Sequence, residues 1–160
     1  MPERLFPGAA HLQNLHPLVV HFPIALLFAA TFLYFLGASL RNESITGAGL
    51  WVLVLGAIGA VLSAATGLYA SEGVMIAPSV RDALLVDHRN LMVAVTVLAG
   101  ALTVWALAAR PLPRRGRWAF LLGLIALCVL IARGADYGGR LVFDYNAGGN
   151  ACGQPIDFSK

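Results

Sequence analysis

Of the 160 residues, 59% are hydrophobic and 12% charged, a balance too apolar for an ordinary soluble core, so lipid must be the solvent for most of the chain. The formal net charge of +3 says little by itself, and no nucleic-acid partner is expected. No internal repeat, glycine-rich phosphate loop or nucleophile elbow is visible, and no residue set pairs a nucleophile with its base.

Residues Met1–Leu15 form a short tail containing the turn residues Pro2, Pro7 and Gly8. The first helix is predicted over 17–40, with Pro17 at the first position, where its missing N–H costs nothing, and His16 at or near the N-cap. Its apolar run is too long for a signal-peptide core and no small-residue cleavage site comes after it, so it reads as a retained span. Pro23 lies two residues after His21; it either frees the Val19 carbonyl and bends the axis or is tolerated within the first turns.

The second helix, 48–70, carries Gly56, Gly59, Ala60, Ser63, Ala64 and Gly67 three or four apart. Such a face lets backbones approach closely in lipid, and this packing reading is favoured over a wall for a flat macrocycle. The next connection is polar, and Ser79-Val-Arg-Asp82 resembles a capping box, so the third helix is predicted over 80–109, beginning before the membrane. Arg110, Arg114, Arg115 and Arg117 crowd the third connection. Cationic loops stay in the cytoplasm, which puts both termini on the outer side. The fourth helix, 117–137, runs into Gly138 and Gly139, which are expected to end it ahead of a polar tail, 141–160. Cys128 reads as a small mid-helix hydrophobe, and Cys152 sits alone in the tail.

The fold class is therefore all-α: a single integral-membrane four-helix bundle with both ends outside. This topology brings all four histidines, His11, His16, His21 and His88, to one face, together with Glu72, Asp82, Asp87, Arg133, Asp136 and Arg140. Imidazole binds iron, copper or zinc through one nitrogen while a neighbour orients the other. His16 and His21 lie about 140° apart around a regular helix, so one metal cannot take both unless His16 is a cap. The better-defined pair is His21 with His88, facing across the bundle as axial ligands of a b-type haem. His16 would add a ligand or hydrogen bond, Arg133 or Arg140 would neutralise propionates, and Asp87 or Asp136 would support the ligands. For Arg133 and Asp136 the plainer roles are snorkelling and ending the helix. A variant places copper or another metal ion on His16, His21 and His88.

The run Asn14-Leu-His16-Pro-Leu-Val-Val-His21-Phe-Pro-Ile-Ala-Leu26, with Ala65-Thr-Gly67, Asp87-His88 and Gly138-Gly-Arg-Leu-Val-Phe143, resembles the membrane family catalogued as domain of unknown function 2231. That resemblance covers nearly the whole chain and implies a four-helix bacterial membrane protein. Because the domain occurs beside cytochrome c-like and other redox modules, it also implies work in electron transfer. His16, His21 and His88 stand at the matching motif positions, and Asp144–Lys160 extends past the usual ending as a segment for contacting a partner. The expected function is a redox subunit passing electrons between an outer donor, such as a cytochrome c, and quinone or another subunit. The alternative is a cofactor-free structural or anchoring subunit of a larger complex. Either fits better than a stand-alone enzyme.

Overall fold

The computed structural model describes residues 15–73, 76–145 and 147. His11, Cys152 and all but the first residues of the C-terminal tail lie outside them. Four long helices make up the fold: α1 (His16–Leu40), α2 (Glu43–Gly73), α3 (Pro78–Ala109) and α4 (Arg117–Phe143). Each is long and apolar enough to cross a membrane, and no strand occurs among the described residues.

Local chemistry sets the helix ends. In α1 the Leu15 carbonyl accepts from the N–H groups of Leu18 and Val19, both at 3.2 Å, while Pro17 occupies the first turn. His16 is thus the first helical residue and Leu15 the cap, so the helix starts one residue before the predicted 17 and His16 stands next to the N-cap. At the far end Arg41 takes a left-handed conformation (φ 52°), and the Asn42 N–H closes on the Gly37 carbonyl at 2.9 Å. The Asn42 side chain then accepts from the N–H groups of Ser44 (3.0 Å) and Ile45 (3.2 Å). This cap starts α2 at Glu43, five residues before the predicted 48, because a satisfied first turn lets polar residues wind into the helix.

Two further boundaries differ from expectation. Ser79 does not cap α3: the helix opens on Pro78 after Ala77, with no side-chain cap bond. Gly138 and Gly139 do not end α4, which runs on to Phe143; Gly138 is packed against the His88 ring, a tertiary contact that overrides the local tendency of glycine to stop a helix.

The helices pack in a ring, α1 on α2, α2 on α3, α3 on α4 and α4 back on α1, so α1 and α3 lie on one diagonal and α2 and α4 on the other. Leu27, Tyr34, Leu53, Phe120, Leu124 and Leu127 fill the axis, and Phe120 meets Tyr34 and Trp105 edge to face at 5.0 and 5.7 Å. Phe22, Phe32, Trp51 and Val104 point outward, as a lipid-facing surface requires. The small-residue face of α2 is taken up by α1: a Cβ on Gly56 would lie 2.7 Å from Leu27, and one on Gly59 3.4 Å from Pro23. Pro23 sits buried inside an unbroken α1, its ring packed beside Gly59 of α2. At the arginine end, Tyr34 donates to the Pro111 carbonyl (3.0 Å) and Arg117 to the Ala38 carbonyl (3.0 Å), tying the third connection to α1.

Candidate functional site: a histidine pair on the bundle axis

The other end of the bundle holds His16, His21 and His88. Just before His88 the backbone widens into i→i+5 bonding over Arg81–Leu85, the Val86 N–H reaching the Arg81 carbonyl. Such a bulge adds a residue to one turn and rotates the start of the helix relative to its membrane-spanning part, and it recurs at functional sites. Beyond it, His88 points inward. Its Nδ1 lies 2.9 Å from the Gly134 carbonyl of α4. A carbonyl can only accept, so Nδ1 carries the proton and Nε2 keeps its lone pair. The ring rests on Gly138, where a Cβ would come within 3.1 Å of it.

His16 is held in a parallel way by α2. Its Nδ1 lies 3.3 Å from the Thr66 hydroxyl. Thr66 directs its own proton at the Leu62 and Ser63 carbonyls (3.0 and 3.1 Å), and so accepts from His16. The Ser63 carbonyl is a second acceptor for the ring. The imidazole lies against Gly67, where a Cβ would come within 2.8 Å of it. The two rings are within electrostatic range of each other. Two histidines on one diagonal thus lie at one end of the bundle, each against a glycine from the other diagonal.

Each helical hairpin supplies one half. The first gives His16 and Ser63-Ala-Ala-Thr-Gly67; the second gives His88 and Gly134-Ala-Asp-Tyr-Gly138, at nearly the same spacing from its histidine. In both, a small residue offers its carbonyl to the ring and a glycine one turn later lies beneath it. Sequence reasoning found no repeat, because only these few positions correspond and the apolar residues between them do not. The signal that could have revealed it was the recurrence of His with small-x-x-x-Gly at matched separation.

The other candidates do not join this cluster. His21, expected to face His88, is exposed on α1 and turns its Nδ1 onto the Pro17 carbonyl of its own helix at 2.8 Å, so the pair that comes together is His16 with His88. The reason lies in α1 itself: the helix starts at His16, and the 140° between its two histidines aims only one of them inward. Asp87 and Asp136 are exposed, Arg140 pairs with Asp144 at 3.5 Å, and Arg133 lies over the Tyr137 ring at 5.7 Å. Among the described residues, no three of His, Cys, Asp and Glu converge as a metal-holding group. Cys128 donates to the Thr31 hydroxyl at 3.3 Å, deep in the bundle. Ser63, beside His16, is buried, and its hydroxyl has no hydrogen-bond partner among the described residues. A buried hydroxyl in that condition costs about 1–3 kcal/mol, the kind of site where water or a ligand atom binds.

The family described as predicted membrane protein, domain of unknown function 2231, matches residues 12–151. The chain belongs to this family. No curated protein and no solved structure matches it. In this family member the histidine pair, its carbonyl acceptors and both glycines all fall within the matched residues.

Proposed function

We propose that this multi-pass membrane protein is a redox subunit of a bacterial inner membrane, in which His16 and His88 ligate a b-type haem or a single metal ion such as copper. The observation carrying this reading is that two half-buried imidazoles from diagonal helices lie within electrostatic range of each other at one end of the bundle, each held through Nδ1 by another helix. Ligating histidines are characteristically oriented this way, the second nitrogen fixed by a carbonyl or hydroxyl. The orphaned Ser63 hydroxyl beside the pair supports a bound group. The axial ligands suit a haem; the α2 glycine face does not suit a macrocycle wall, because Leu27 and Pro23 already fill it. A bound group would supply one-electron chemistry, and the chain's part is to hold the imidazoles neutral and aimed. The arginine connection orients the pair toward the periplasm, where a cytochrome c-like donor would dock, with quinone or another subunit as the other partner.

A second reading is favoured by one observation: both rings already rest on glycines and already hold hydrogen bonds, as side chains that lock helix ends in a structural anchoring subunit would. A reduced-minus-oxidised visible spectrum with metal analysis of detergent-purified protein separates the two. The redox reading expects haem bands or stoichiometric metal, lost in His16→Ala and in His88→Ala and retained in His21→Ala. Protein purified mildly and free of both supports the anchoring reading.

A further inference from the structure

On the same end of the bundle, α3 and α4 leave a groove of about 350 Å³ lined by Asp87, Asn90, Leu91, Ala94, Arg133 and Tyr137. It opens sideways from the helix pair, on the flank of α3 next to the face that carries His88. Its lining is graded. Leu91 and Ala94 line the stretch further along α3 toward the bundle centre, and Asp87, Arg133 and Tyr137 stand nearer the histidine end. The Arg133 guanidinium lies over the Tyr137 ring and donates to its hydroxyl oxygen at 3.4 Å, so the phenol keeps its own proton to donate.

We infer that this groove binds the head group of a membrane quinone. The lining chemistry disfavours an anionic phospholipid. Arg133, Asn90 and Tyr137 offer N–H and O–H donors to ring carbonyls, Asp87 offers an acceptor to a hydroquinone hydroxyl, and the lining pairs one acidic with one basic side chain. An anionic headgroup would meet the Asp87 carboxylate as well as Arg133. A quinone is itself neutral, and its isoprenoid tail would leave along Leu91 and Ala94 into lipid. The choice of quinone over other neutral amphiphiles rests on the redox reading of the histidine pair, since Asp87 is the residue next to His88.

The test is photolabelling with an azido-substituted short-chain benzoquinone, on the full chain in phosphatidylcholine vesicles, with adducts located by mass spectrometry. Adducts are expected in residues 87–94 and 133–137 and should be competed by unlabelled long-chain quinone. Arg133→Ala, which removes a charged donor, and Ala94→Trp, which fills the groove from an exposed position, should each lower the yield about tenfold. Phe32→Trp, on the lipid-facing side of α1, should leave it unchanged. Adducts spread evenly over the lipid-facing helices overturn the proposal, as does groove labelling that anionic phospholipid suppresses and quinone does not. The readout requires neither haem nor metal, so its failure is separate from a failure of the histidine pair.

Discussion

Gly67 and Gly138 are where one atom would matter most. A Cβ at Gly67 would sit 2.8 Å from the His16 ring and one at Gly138 3.1 Å from the His88 ring, whereas a Cβ at Gly47 meets nothing within 4 Å. Gly67→Ala should therefore push the imidazole off its Thr66 bond and cost about 1–3 kcal/mol through overpacking. Gly47→Ala should be neutral or stabilise by about 0.5–1 kcal/mol through helix propensity. Thermal unfolding in detergent checks both, and any bound chromophore should be altered only by the first. That His16 and His88 stand at the same end of the bundle was legible from the order and direction of the spans alone. That His16, rather than His21, partners His88 was not, because it depends on which residue starts α1, a boundary fixed by Leu15 carbonyl bonding that no side-chain pattern announces.

Among the elements, the α1–α2 hairpin is the most closely determined, its two-residue turn built from Arg41 and Asn42. Asn42→Ala removes the acceptor for two orphan N–H groups at the start of α2 and should lower stability by about 1 kcal/mol, read as a drop in unfolding temperature. At the same end Tyr34→Phe keeps the buried ring and deletes only its bond to the Pro111 carbonyl, with an expected loss of about 0.5–1.5 kcal/mol. The small-residue stripe of α2 was readable as a packing face, and Leu27 and Pro23 occupy it. The wide turn at Arg81–Leu85 was not readable, since i→i+5 bonding leaves no compositional mark in a segment whose residues suit an ordinary helix equally well.

At the scale of the whole molecule, the ring of four antiparallel helices gathers the histidines at one end and the arginine connection at the other. With the two native cysteines replaced, Ser79→Cys should react with a membrane-impermeant thiol reagent in intact cells, and Arg114→Cys should react only after permeabilisation. The reverse pattern would invert the bundle and put the histidine pair on the cytoplasmic side. Four spans and an all-α class were determined by the sequence by itself, because in lipid every backbone polar group must be satisfied within its own helix, so apolar length alone dictates the element. Only the tertiary structure decided which histidines meet, which glycines lie beneath them, and that two dissimilar hairpins carry the same ring-holding arrangement. Those facts depend on the rotation of each helix about its own axis, and a chain apolar on nearly every face carries little pattern from which that rotation can be read.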